Sequence, residues 1–122
     1  MRPLTSPPAC LFFTAVLASD ESLFGQISTS LTNLYGEPVI RVPLMEFDHS
    51  DYYQNEMGDG LLKSFLGFKP PFNPIDLALR KRQARELEWI YGHSEDDGFH
   101  RMVNIDPGYV NLSQVVLATS KN

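Results

Sequence analysis

The stretch Cys10-Leu11-Phe12-Phe13-Thr14-Ala15-Val16-Leu17, followed at once by Ser19-Asp20-Glu21, constrains the fold of this chain most. A continuous apolar run of strand length, rich in aromatic and β-branched side chains, reads as a strand buried on both faces. Ser19-Asp20-Glu21 is a helix start, so a central strand feeds directly into a helix. Arg2 ahead of the run, with small residues near Ala18, also imitates a short secretory signal. Pro7-Pro8 before the run and a capped helix after it, without a mature-protein spacer, favour the strand. Residues 1–9 read as a loose Pro-rich segment ahead of a single domain over 10–122. No stretch approaches the ~20 apolar residues needed to span a bilayer.

The patterns that follow alternate in period. Leu23, Phe24, Ile27, Leu31, Leu34 and Tyr35 recur at helical spacing until Gly36 and Pro38. Val39 to Phe47 is β-prone, and Pro43, which offers no ladder donor, assigns it to a sheet edge. Leu62, Ser64, Leu66 and Phe68 alternate with Lys63, Phe65, Gly67 and Lys69 as a third strand. Asn73 as N-cap with Pro74 and Asp76 behind it starts a second helix through Ile75, Leu79, Leu87, Trp89 and Ile90 to about Gly92, its basic middle facing water. His93 to Gly98 reads as an acidic loop, and Phe99, Arg101, Val103 and Ile105 as strand four, ended by an Asp106-Pro107-Gly108 turn. The order βαββαβ is the ferredoxin-like pattern: an α+β domain with an antiparallel sheet and both helices on one face. Residues 112–119 add a C-terminal apolar element, helix or strand, that is either packed on the sheet or cut short.

Composition narrows the partners. The 122 residues suffice for one core. Ten basic against 15 acidic residues, net charge -5, argue against a nucleic-acid partner, whose affinity needs clustered Lys and Arg. Arg80-Lys81-Arg82 with Arg85 is the local exception and reads as a solvated helix face. The single cysteine, Cys10, lies in the first strand as a small buried hydrophobe, so a reducing cytoplasm is expected.

Two polar-aromatic motifs exceed what turns require: Asp51-Tyr52-Tyr53-Gln54-Asn55-Glu56-Met57-Gly58 and Asn104-Ile105-Asp106-Pro107-Gly108-Tyr109. Asp51, Tyr52, Tyr53, Glu56, Asn104, Asp106 and Tyr109 are therefore the ligand-binding candidates. Asp48, His49, Asp51 and Glu56 offer hard oxygen ligands within a short span, which suits magnesium or manganese; the usual His and Cys spacings of zinc sites are absent. A solvated acidic loop is the competing account of the same residues. Asp51 or Asp106 beside a tyrosine hydroxyl suggests acid-base chemistry, against which Asp106-Pro107-Gly108 is ordinary turn chemistry. Gly58-Asp59-Gly60 precedes a strand, so it reads as a loop tip and not a phosphate cradle. No Gly-x-Ser-x-Gly elbow occurs.

Leu17-Ala18-Ser19-Asp20-Glu21, Asp51-Tyr52-Tyr53 with Glu56-Met57-Gly58, and Val103 to Tyr109 with Leu117-Ala118-Thr119, in that order, resemble the bacterial family called domain of unknown function 4416. The resemblance spans nearly the whole chain and implies no established activity. Nucleotide binding is implied only by the label GTP-binding protein carried by some members. Family members look longer, continuing into a further β region, which implies that this chain stops short of the family's length. Gln114 stands where the family suggests a basic residue.

The topology implied by βαββαβ gathers Ser19-Asp20-Glu21, the 48–60 connection and the 93–98 loop at one end of the sheet. Asp106 and Tyr109 fall at the other, so the two motifs meet only if residues 48–60 cross the sheet. The expectation is a small-molecule or divalent-metal site in the Asp51-Tyr52-Tyr53 loop. The rival is a non-catalytic interaction or assembly module that uses edge strand two and the tyrosines to recruit a protein partner or a second copy.

Overall fold

A computed structural model describes residues 10–46, 60–111 and 115–118. The chain forms β1 (Leu11–Ala18), α1 (Glu21–Tyr35), β2 (Pro38–Glu46), β3 (Leu62–Phe68), a one-turn 3-10 helix (Pro74–Asp76), α2 (Leu77–Tyr91), β4 (His93–Glu95), β5 (Gly98–His100), β6 (Val103–Val110) and β7 (Val115–Leu117). It is an α+β protein with a five-stranded antiparallel sheet in the order β2-β3-β1-β6-β7; β4 and β5 form a separate hairpin. Asp20 caps α1, its carboxylate accepting from the Ser22 N–H at 2.9 Å. Asn73 caps the 3-10 turn in the same way, accepting from Ile75.

β1 lies between β3 and β6, and apart from Thr14 its sequence is apolar. Phe12, Val16 and Ala18 share one core with Leu66 and Phe68 of β3 and with Val103, Ile105 and Tyr109 of β6. Phe24, Ile27 and Leu31 of α1 and Ala84 and Leu87 of α2 close that core, so both helices cover the same face. Each Val, Leu, Ile or Phe side chain among them contributes about 1.5–3 kcal/mol on leaving water. The helices are joined by hydrogen bonds from Tyr35 Oη to Gln83 Oε1 (2.6 Å) and between Ser30 Oγ and Tyr91 Oη (3.0 Å). Ala15 and Leu17, on the opposite face of β1, are buried as well.

The expected turn at Asp106-Pro107-Gly108 is instead the middle of β6. Ile105 donates its N–H to the Glu88 carboxylate at 2.7 Å, which puts the odd-numbered N–H groups of this strand on the side away from β1. Pro107 occupies that same side, so its missing donor takes nothing from the β1 ladder, while its carbonyl accepts from Ala118 at 2.8 Å. Gly108 is required by packing: a Cβ there would sit 2.3 Å from the Val116 carbonyl and 2.6 Å from the Phe13 ring.

Residues 93–98 are likewise not a loop. They form β4 and the turn of a hairpin, in which Gly98 takes φ +123° and β5 returns before β6 begins. The expected fourth strand is thus split at Arg101-Met102. In α2 the basic run divides: Arg82 and Arg85 are exposed as expected, whereas Arg80 lies over the Phe12, Tyr35 and Phe72 rings at 4.2–5.0 Å and Lys81 turns inward. Ile75, Leu79, Trp89 and Ile90, which suggested the apolar face, are exposed. The buried stripe is Lys81, Ala84, Leu87 and Glu88, with Leu77 and Tyr91 partly covered at its ends. Trp89 stacks on Phe99 of β5, ring centroids 4.3 Å apart. Residues 115–117 resolve the C-terminal alternative as a strand.

Candidate functional site

A closed polar network and an open cleft stand out among the described residues. The closed one is built on β6. Asn104 and Asp106 project on the face opposite Val103 and Ile105, pairing across the sheet with Leu17 and Ala15. Asn104 Nδ2 donates to Asp106 Oδ2 at 3.0 Å, and Asp106 Oδ1 meets Lys81 Nζ at 3.3 Å. Arg101 Nη1 donates to Asn104 Oδ1 at 2.7 Å and lies 3.8 Å from Glu88. Lys81, Glu88, Arg101, Asn104 and Asp106 therefore form one continuous network. The ionic side chains in it retain 7–14% of their exposure. Burial pushes the Glu88 carboxyl up, against the opposing pull of the Ile105 N–H, Arg101 and Lys81.

Such a network is costly to desolvate and is stable only because each charge meets an opposite one. Its members bond to each other, which suits a structural role for Asn104 and Asp106. Asp106 lies mid-strand, opposite Ala15, and not at a pole of the sheet. Tyr109 is buried in the aromatic cluster, 5.9 Å from the Phe72 ring. Lys81, Glu88 and Arg101 were not among the expected site residues. The signal for the first two was present: positions 81, 84 and 88 share one helical stripe.

The open site lies between α1 and β2. A cleft of about 320 Å³ has Val16, Phe24, Ile27 and Leu66 among its lining residues, with Pro43 and Leu44 contributed by β2. The register between β2 and β3 shifts between Val42 and Met45, where Pro43 interrupts the ladder. Ser64 Oγ donates to the Val42 carbonyl at 2.7 Å next to this irregularity. Arg41 also lines the cleft; it reaches Ser28 Oγ at 3.4 Å and Glu37 at 3.3 Å, both long contacts. Gly25 stands in the middle of α1 on the same wall, and a Cβ there would meet nothing within 4 Å. Glycine in a helix interior costs roughly 0.5–1 kcal/mol relative to alanine, and no close packing accounts for it.

Asp48, His49, Asp51, Tyr52, Tyr53 and Glu56 lie outside the described residues. Of the expected ligand-binding residues the structure therefore locates Asn104, Asp106 and Tyr109, and assembles the first two. Arg41, Ser28 and Gly25 escaped sequence reading because a lone arginine in an edge strand and a lone glycine in a helix carry no motif.

An α+β domain with a buried ionic seam and an open cleft between α1 and β2 is the class the geometry defines. A family model described as domain of unknown function (DUF4416) matches residues 7–122, and the chain belongs to that family. No curated protein and no solved structure matches the chain significantly. Among the described residues no helix is long and apolar enough to cross a membrane.

Proposed function

We propose that this domain binds a small amphipathic anion in the cleft between α1 and β2. The observation that carries the reading is Gly25: a helix-interior glycine with open space where a side chain would project, on the wall of an apolar cleft whose volume suits a small ligand. Arg41 supplies the charged end, since its present bonds are long and one of its partners, Glu37, is 80% exposed. The apolar lining takes the remainder of the ligand. Glu21 is the single carboxylate among the described lining residues, which supports binding over paired acid-base turnover. The Asp51-Tyr52-Tyr53 motif follows the cleft residue Leu44 in the chain, and we assign it to the same ligand, with magnesium or manganese entering through Asp48, His49, Asp51 and Glu56.

The test is a thermal-shift screen of aliphatic and aromatic carboxylates and of GTP with and without Mg²⁺. A ligand specific to the folded state adds ~2.7 kcal/mol of apparent stability at a hundredfold excess over its Kd. Gly25→Leu, which fills the cleft wall while favouring the helix, should raise the unliganded Tm and abolish the shift. Retention of an undiminished shift in Gly25→Leu and in Arg41→Gln would refute the cleft.

A second reading rests on the exposed apolar residues of edge strand β2, where Val39 is 55%, Ile40 46% and Met45 43% exposed. In it, β2 pairs with a second copy or a partner strand. Sedimentation velocity on the wild type and on Ile40→Lys separates the readings, because only assembly depends on Ile40. We further read β2-β3-β1-β6 with α1 and α2 as a ferredoxin-like arrangement extended by β7. Its support is that each outer strand of the four lies antiparallel to a central one. A single cysteine, Cys10, buried and with no second cysteine to pair with in this sequence, fits the cytoplasm as its compartment.

A further inference from the structure

The β4–β5 hairpin brings together a set of side chains with no part in the cleft. Its register sets His93 directly opposite His100, with imidazole centroids 5.6 Å apart and nearly parallel. Strand alternation puts Glu95 on the same side as His93. The turn at Gly98, with its positive φ, folds Asp97 back over β5.

The contacts converge. Glu95 presents one carboxylate oxygen to each ring: Oε1 lies 3.0 Å from His93 Nε2 and Oε2 lies 3.5 Å from His100 Nε2. Asp97 Oδ1 lies 2.7 Å from His100 Nε2. One ligand atom from each of Glu95, Asp97 and His100 can be chosen so that all three are within 4.8 Å of one another. Around a tetrahedral ion with bonds of ~2.0–2.1 Å, neighbouring ligand atoms sit roughly 3.3–3.4 Å apart, and the observed 2.7–3.5 Å spacings bracket that edge.

We propose that the β4–β5 hairpin binds one divalent transition-metal ion, zinc foremost, through His100 Nε2, Glu95 and Asp97, with His93 Nε2 as the fourth ligand.

Three features favour an ion over a merely solvated hairpin. Glu95 at the end of β4 and Asp96 and Asp97 in the turn crowd three carboxylates into a hairpin whose strands have three residues each, a unit too short to be stable alone. A cation at their centre removes that repulsion and ties the two strands together. The His100 ring is already held by Asp97 and Glu95 with Nε2 aimed into the cluster, whereas His93 Nε2 meets Glu95 and swings inward to complete the set. The chemistry of the set also selects the ion. Imidazole nitrogen favours zinc, nickel or cobalt over magnesium and calcium, which prefer oxygen ligands throughout. With Asp97 73% and Glu95 56% exposed, the site opens to solvent and binds reversibly.

The test uses the full chain, freed of metal by chelator dialysis and titrated calorimetrically with ZnCl2. One ion per chain is expected, with binding weakened at least about tenfold by Asp97→Asn and about a hundredfold by His93→Ala/His100→Ala. Circular dichroism checks that the variants remain folded. Histidine ring ¹⁵N spectra of the wild type supply a readout that needs no variant: zinc should shift Nε2 of His93 and His100. Absence of binding below millimolar zinc, unshifted ring nitrogens, or full affinity in the double variant each overturns the site. The last outcome would move the ion to Asp48, His49, Asp51 and Glu56. These outcomes are read with zinc alone on the hairpin histidines, whereas the α1–β2 cleft is read from the shift given by metal-free carboxylates and its loss in Gly25→Leu and Arg41→Gln, so the two proposals fail independently.

Discussion

β2 and β6 each carry a proline in their interior, and the two prolines do opposite things. In β2, Pro43 coincides with a register shift against β3, and the strand on either side is exposed along most of its length. In β6, Pro107 is fully buried and pairing with β1 runs without interruption from Val103 to Val110. The difference lies in where the missing N–H would have pointed. In β6 it faces the side away from β1, where the partner strand asks only for a carbonyl. A proline in a strand thus does not by itself mark an end or an edge; the side on which its donor falls decides. The irregular strand borders the open cleft, and the regular one carries the sealed ionic network.

That contrast can be broken most forcefully from the β6 side. Asp106→Ala leaves Lys81 buried without its counter-charge and should destabilise by about 3–5 kcal/mol in urea unfolding, most of which Lys81→Met/Asp106→Leu should restore. If Asp106→Ala costs under ~1 kcal/mol, the network is not sealed. Gly108→Ala comes next, with an expected loss of about 2–3 kcal/mol from the clash with the Val116 carbonyl and the Phe13 ring. A smaller effect reads the charge state. The folded chain holds the Glu88 proton more tightly than the unfolded one, so the stability this group contributes is full below its ordinary value of 4.5 and is lost as pH rises through the raised folded value. Glu88→Gln should flatten that part of the stability profile by at most about 1.4 kcal/mol per pH unit; an unchanged slope would show that Glu88 ionises as if solvated. The smallest effect belongs to β2. Glu37→Ala at the exposed Arg41 pair should change stability by no more than about 0.5 kcal/mol, whereas a larger loss would mean that β2 is as tightly held as β6.

The elements that sequence disclosed were those whose own periodicity matched their burial. Cys10 to Leu17 is apolar because β1 is covered on both faces, and Phe24, Ile27 and Leu31 follow the helical period because α1 buries one stripe. α2 was harder to orient, since its buried stripe includes Lys81 and Glu88 while Trp89 and Ile90 face solvent. Those charges are matched by Arg101 and Asp106 from elsewhere in the chain, and a local pattern cannot disclose a partner 25 residues away. For the same reason Asp106-Pro107-Gly108 spelled a turn: nothing local reveals that β1 and β7 flank it. Of the candidate site, Asn104 and Asp106 were found for their chemistry and turned out to face each other, while the cleft was invisible because it exists only between α1 and β2.

The aromatic stack between α2 and the hairpin gives the molecule an optical property. The chain has a single tryptophan, Trp89, and its indole lies flat against Phe99, which pairs with Ser94 at the centre of β5. Tryptophan emission, excited selectively over that of the five tyrosines, therefore comes from one place, 65% exposed and in contact with the element that carries His100. Any event that tightens or loosens the hairpin changes how far that indole is shielded from water and from a quencher such as iodide. The protein carries its own label at the point where the acidic hairpin meets α2.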